Sequence, residues 1–274
     1  MTGSRTVDLL GWAARSARRT GLAAVSDRAV RIVDAIFVRA GRPPIGVFVE
    51  GVRVRGYLRH RSYLAEAARP RTTYAQLYLE QLRPDTTVVD AGAHVGVYTM
   101  LASPRCTRVL AFEPDPYNLR ALRANAEALS NVILVEKALS NSVGATTFYV
   151  TPSTIGSSLI AREGGEAREV ETTTIDAELA GLDIGSLLLK LNIEGAELRA
   201  LDGARETLAR AAHITMFVEV NPAFPASAEI EAWLASAGFD VAFIDLASQR
   251  PVALPTPRRK GHLLARRLSS FAAG

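Results

Sequence analysis

Apolar residues recur along this chain in two rhythms, and the change between them marks its organisation. From Ser26 to Ala40, the residues Val30, Val33, Ile36 and Phe37 fall on one face at helical spacing. Ser26 and Asp27 can cap the start, and Gly41 with Pro43-Pro44 supplies a stop, so a helix is predicted over 26–40. Residues 1–25, rich in Ala and Arg, read as a second, weaker helix or a frayed tail. Between 45 and 60, Val47, Val49, Val52 and Val54 alternate with polar or charged neighbours, which predicts a short hairpin turning at Glu50-Gly51. Tyr74–Leu82 predicts a helix leading into the core domain.

From Thr87 onward short apolar runs alternate with amphipathic stretches. Strands are predicted at Thr87–Val89, Arg108–Phe112, Val132–Leu139, Leu187–Ile193, Ile214–Val220 and Asp240–Ile244. Helices are predicted at Val97–Ala102, Pro116–Ser130, Gly195–Leu208 and Ala226–Ala237. Apolar strands alternating with helices mean an α/β fold whose mostly parallel sheet is covered on both faces. The interval 145–174 breaks the rhythm: two Thr/Val/Tyr-rich runs flank Gly156 and Gly164-Gly165, predicting a β-rich insertion. The chain thus divides into a basic N-terminal extension over 1–70, an α/β domain over 71–256 and a basic C-terminal tail over 257–274.

Charge sharpens that division. Residues 1–60 hold 11 Lys+Arg against 4 Asp+Glu, residues 250–274 hold 6 against none, and the middle holds 15 against 24. Basic ends could meet an anionic membrane surface, a nucleic acid or an acidic partner, or simply form a solvated surface. One cysteine, Cys106, excludes an intramolecular disulfide and any multi-cysteine zinc site. The apolar stretch Leu22–Ala40 is interrupted by Asp27, Arg28, Arg31 and Asp34 and cannot span a bilayer. A soluble, cytoplasmic protein is the expectation.

The candidate chemistry sits at the strand ends. After the first strand comes Asp90-Ala91-Gly92-Ala93-His94-Val95-Gly96, where glycines permit a tight turn and close approach of a ligand to the backbone. Asp90 there can accept hydrogen bonds from the amino group of a methionine moiety. About 20 residues on, Phe112-Glu113-Pro114 puts a carboxylate where it can accept from two ribose hydroxyls. Bulky His94 stands where a pyrophosphate would need room, so the turn suits a nucleoside cofactor without a diphosphate better than a nicotinamide dinucleotide. Lys137-Ala138 follow the third strand, where adenine would sit against the backbone. Neither His60 nor His262 has metal-ligand spacing to another residue, and no metal site is predicted.

The run Val89–Thr99 resembles the opening motif of the FkbM family of S-adenosylmethionine-dependent methyltransferases. Further matches follow in order: Ala111-Phe112-Glu113-Pro114, Asn118-Leu119, Asn125, Lys137–Ser140 with Gly144, Ser157–Leu159, Thr174–Asp176 and Lys190–Glu197. They span about 87–221. The resemblance implies a Rossmann-like class I methyltransferase fold, with a seven-stranded sheet carrying one antiparallel strand near its end. It also implies S-adenosylmethionine as cofactor and O-methylation of a small-molecule or glycan hydroxyl; no nucleic-acid partner is expected. Mapped residue by residue, the cofactor site comprises Asp90, Gly92, Ala93, His94, Gly96, Tyr98, Thr99, Glu113, Pro114, Lys137, Ala138 and Asn192.

Two positions depart from the family pattern. His94 stands where Asn is common, and Asn192 occupies the Asp position of Lys-x-Asp-x-Glu-Gly-x-Glu. An amide is neither a base nor a good divalent-metal ligand. Glu194, just past a strand's carboxyl end, is the first candidate for the catalytic base or for orienting the acceptor, with Asn192 beside it. The same residue could simply favour the first turn of the next helix. Glu197 reads as a helix-surface or ion-pair residue, Lys190 as a partner for a neighbouring acid, and Glu219 and Asn221 as residues that could line an acceptor pocket. Competing readings are a cofactor-binding protein without transfer activity and a nicotinamide-dependent oxidoreductase.

Overall fold

Thr86–Ala91 and Ser186–Leu191 are buried at every position, as strands covered on both faces must be. They lie side by side at the centre of the main sheet of a computed structural model that describes residues 27–40, 43–69, 73–151, 156–161, 164–224, 226–257 and 259–268. The chain forms two units, 1–42 and 43–274. The first contains helix α1 (Asp27–Arg39), close to its predicted span. The expected helix or tail over 1–25 lies outside the described residues.

The second unit begins with the predicted hairpin, β1 (Ile45–Val49) and β2 (Val52–Gly56), turning at Glu50-Gly51. A short 3-10 turn, Leu58–His60, leads into α2 (Arg61–Ala67), an element the sequence pattern does not predict, and then α3 (Ala75–Leu79). The hairpin is bonded into the core. Asn125 accepts from the Arg55 N–H (3.0 Å) and donates to the carbonyls of Arg55 (2.9 Å) and Val95 (2.7 Å).

The α/β part then runs β3 (Thr86–Ala91), α4 (Val97–Ala102), β4 (Arg108–Phe112), α5 (Pro116–Ala126) and β5 (Val132–Val135). Next come β6 (Ala138–Leu139), β7 (Gly144–Val150), β8 (Glu166–Thr173), α6 (Ile175–Glu178) and β9 (Ser186–Leu191). The chain continues through α7 (Glu197–Asp202), α8 (Arg205–Arg210), β10 (His213–Val220), α9 (Ser227–Ser236), β11 (Asp240–Asp245), β12 (Arg250–Val252) and β13 (Gly261–Leu268). The main sheet has the order β12-β11-β13-β10-β9-β3-β4-β5, in which β10, β9, β3, β4 and β5 are parallel. A small sheet, β6-β8-β7, is the predicted insertion.

Four expectations change. Val132–Leu139 is two strands, because the chain leaves the main sheet at Glu136-Lys137 and Ala138-Leu139 pair with β8. The helix expected over Gly195–Leu208 is broken at Gly203, where a Cβ would lie 2.4 Å from the Ser140 carbonyl oxygen. The sheet has eight strands rather than seven, since the three exposed residues of β12 add an edge. Residues 261–268 are no tail: β13 inserts antiparallel between β10 and β11, with Leu263, Leu264 and Ala265 buried. Its arginines act locally, Arg267 donating to the carbonyls of Ala237 (2.9 Å) and Leu208, and Arg266 to Gln81 (2.9 Å).

An extensive apolar cluster joins Val89, Leu189, Leu201, Met216, Val218 and Leu263 on one face of this sheet. Full burial of each such side chain contributes about 1.5–3 kcal/mol. Among the described residues no helix is long and apolar enough to cross a membrane.

Candidate active site

A cavity of about 320 Å³ opens at the carboxyl ends of the parallel strands, within the size range of small-ligand sites. Its floor is the turn after β3. Gly92 takes φ 70°, and a Cβ there would lie 2.0 Å from the Asn192 carbonyl oxygen, so only glycine lets β3 and β9 close up. The N–H groups of Gly92 and Ala93 both donate to the Phe112 carbonyl at 3.0 Å. His94 follows in the left-handed region at φ 55°, which aims its N–H at Glu113 Oε2, 2.8 Å away. Gly96, at φ 92°, packs where a side chain would strike Leu122 at 2.6 Å.

Asp90 does not face this cavity. Its carboxylate is fully buried, accepting from Thr99 Oγ1 at 2.6 Å and pairing with Lys190 Nζ at 2.9 Å. Lys190 spends its remaining donors on the carbonyls of Ala91 (3.1 Å) and Gly92 (2.8 Å). Asp90, with Thr99 and Lys190, therefore locks β3 to α4 and β9, and its carboxylate is buried outside the cavity lining where a methionine amino group would have to sit. Ala93 is likewise internal, packed on Ala111, Leu119 and Leu122.

Glu113, 4% exposed, lines the cavity from the end of β4. Burial, with the Asp115 charge close by, pushes its carboxyl up to about 7 against the N–H bonds that favour ionisation. The N–H groups of His94 and Asp115 (2.9 Å) bond one oxygen each and the Asn118 side chain bonds the carboxyl too, which still leaves lone pairs for the hydroxyls of a ribose. Behind it, His60 Nδ1 accepts from the Tyr57 N–H (2.9 Å), so Nε2 carries the proton and donates to Asn118 Oδ1 (3.2 Å). Burial keeps this imidazole neutral, its pKa lowered to about 4. Pro114, Lys137 and Ala138 line the same side, roofed by Phe148, Ser157 and Leu159 of the insertion. Lys137 is held by Glu178 at 3.4 Å.

The opposite side is built by the ends of β9 and β10 and the start of β13. Asn192 and Glu194 line it, with Glu194 at φ 57° and its carbonyl accepting from Ser158 Oγ at 2.7 Å. Glu197 is not a surface residue. It is 2% exposed, and its carboxylate takes the N–H groups of Ile193 and Gly195, each at 2.9 Å, so it shapes the turn that presents Glu194. Burial raises its carboxyl to about 7. Glu219 lines the cavity, whereas Asn221 caps a local turn by accepting from the Ala223 N–H (3.1 Å).

Ten of the expected residues thus line one cavity: Gly92, His94, Tyr98, Glu113, Pro114, Lys137, Ala138, Asn192, Glu194 and Glu219. Tyr63, Tyr74, Lys260 and His262 join them without having been expected. The last two are hidden in the sequence because β13 reads there as a tail.

Residues 90–241 match the methyltransferase FkbM domain. No curated protein matches the sequence significantly. Among solved structures, an rRNA methylase from Streptococcus thermophilus is similar at 13% identity and a TM-score of 0.41, over 73% of this chain and 97% of that one. SMU.1697c from Streptococcus mutans, solved in complex with SAH, is similar at 13% identity and a TM-score of 0.42, over 73% and 98%. With more than half its length matched by the domain, this chain belongs to the FkbM family of S-adenosylmethionine-dependent methyltransferases.

Proposed function

We propose that the protein transfers the methyl group of S-adenosylmethionine to a hydroxyl oxygen of a small metabolite or sugar. The observation that carries this reading is the division of one cavity between a nucleoside-type wall and a carboxylate wall, Glu113 on one side and Glu194 with Glu219 on the other. The cofactor fits the first wall chemically: Glu113 would hold the ribose, the backbone at Lys137-Ala138 would meet the adenine, and the Gly92 turn would admit the sulfonium end. When bound, it supplies an electrophilic methyl carbon whose bond to sulfur breaks with the electron pair left on sulfur.

What remains for the chain is alignment and proton removal. An acceptor hydroxyl must approach in line with the methyl carbon and lose its proton as the new C–O bond forms. Carboxylates at the ends of β9 and β10 stand where an acceptor would enter, while Asn192, an amide, leaves the proton to them. The Asn192 substitution also supports a second reading, a protein that binds the cofactor without transferring.

Calorimetric titration with S-adenosylmethionine and with NAD tests the cofactor half. Saturable heat with the first alone is expected, and the reverse would overturn it. Transfer of a tritiated methyl group into an aqueous metabolite extract, yielding an O-methyl product, separates the two readings.

A further inference from the structure

We propose that Glu219 and His262 form the acceptor subsite and that it takes a hydroxyl of an uncharged, polyol-type molecule. This deepens the hydroxyl-transfer reading and rests on it. The two residues face each other directly across antiparallel β10 and β13, so their side chains stand on the same face of the sheet, and both line the cavity. Each carries a polar atom sealed from solvent with no hydrogen-bond partner among the described residues, Glu219 Oε2 and His262 Nδ1. Glu219 is 5% exposed. Buried polar atoms without partners are uncommon, and two on cross-strand neighbours that both line one cavity point to a ligand that satisfies both.

The chemistry of the two atoms selects that ligand. A carboxylate oxygen only accepts, while Nδ1 of a neutral imidazole donates or accepts according to tautomer. A hydroxyl donates to the first and serves as either partner to the second. An ammonium could donate to both but would be set beside the Lys190 and Lys260 charges that already bear on this pair, while a carboxylate or phosphate can only accept and would be repelled by Glu219. The cavity offers an anion nothing further, since each lysine in its wall is already paired: Lys137 with Glu178, Lys190 with Asp90, Lys260 with Glu219 at 3.1 Å. No arginine is among the described residues of that wall. A second hydroxyl beside the reacting one would face Glu194, which is why a polyol is favoured over a simple alcohol.

The geometry also assigns the proton. It passes from the acceptor hydroxyl to Glu219 Oε2 as the oxygen's lone pair forms the bond to the methyl carbon. Lys260, on Oε1, holds the carboxylate in place. Burial and the Glu194 charge both raise the proton affinity of Glu219, which suits it to that task. His262 stays neutral beside it, its pKa lowered to about 3 by burial and by Lys190 and Lys260.

The test uses the full chain, tritiated-methyl S-adenosylmethionine and an aqueous small-molecule extract pre-separated into neutral, anionic and cationic pools. Label is expected in an O-methyl product of the neutral pool. Glu219→Gln and His262→Phe should each lower its formation by about a hundredfold or more. Their calorimetric affinity for S-adenosylhomocysteine should stay within about threefold of the parent. Glu219→Asp, which keeps the carboxylate, should recover part of the rate and guards against misfolding of the first variant. An O-methyl product formed at the parent rate by both variants, or found in a charged pool, would overturn the subsite alone. A nitrogen-methylated product, or no product in any pool while cofactor binding persists, would overturn the hydroxyl-transfer reading itself.

Discussion

Glu113 is where a single residue couples cofactor binding to pH. Ribose hydroxyls favour the ionised carboxylate, yet burial holds the free protein's carboxyl near 7. Binding below that value must therefore expel a proton, so affinity for S-adenosylmethionine should fall as pH drops, by up to about tenfold per unit. In Glu113→Gln the slope should vanish and affinity at pH 8 should be lower by about 10- to 100-fold. Calorimetry at pH 6, 7 and 8 reads both effects, and a slope unchanged in the variant would refute the ribose role. Glu194 acts differently. Its charge raises the proton affinity of Glu219, so Glu194→Gln should cost turnover only about tenfold and move the acid limb of the rate profile to lower pH.

At the scale of elements, the hairpin and the β3–α4 turn depend on one amide. Asn125 satisfies the Arg55 N–H and the carbonyls of Arg55 and Val95, two of these three groups on the hairpin and one inside the turn. Asn125→Ala should lower stability by about 2–4 kcal/mol in chemical denaturation and weaken cofactor binding, because the turn loses its brace. A loss below about 0.5 kcal/mol would mean the hairpin is held otherwise. The same elements show what the sequence could reveal. Local patterns suffice for β1, β2, β3, α4 and β4, and the turn's glycines are legible because their roles are local. Long-range partnerships are not. Nothing near Asp90 announces that Lys190, a hundred positions away, takes one of its oxygens, nor that Glu197 folds back on Ile193 and Gly195. β13 does not read as a strand because four of its eight residues, His262, Arg266, Arg267 and Gly261, carry no apolar signal, and its charge is absorbed by contacts no window of sequence contains.

For the whole molecule, buried groups with opposite shifts set the pH dependence of stability. Glu113 and Glu197 rise from 4.5 to about 7, so each contributes stability that is fully present below 4.5 and lost as pH climbs to about 7. His60 and His262 fall from 6.5 to about 4 and about 3, so each contributes stability that is present above 6.5 and lost as pH descends. Each group changes stability by about 1.4 kcal/mol per pH unit within its window. Between 4.5 and 6.5 two gains and two losses nearly cancel, with Glu219, also raised, tilting the balance slightly toward acid. Below 4.5 only the histidines still act. The cofactor-free protein should therefore hold a near-flat unfolding free energy from about pH 5 to 6.5, lose stability as pH rises from there to about 7 with only the glutamates acting, and lose it steeply below about 4.5. In His60→Asn one opposing slope is removed, so stability should rise as pH falls from 6.5 to 5, whatever the overall cost of the substitution. Urea denaturation at half-unit pH steps measures this, and parallel profiles for parent and variant would show that His60 is not held neutral by the fold.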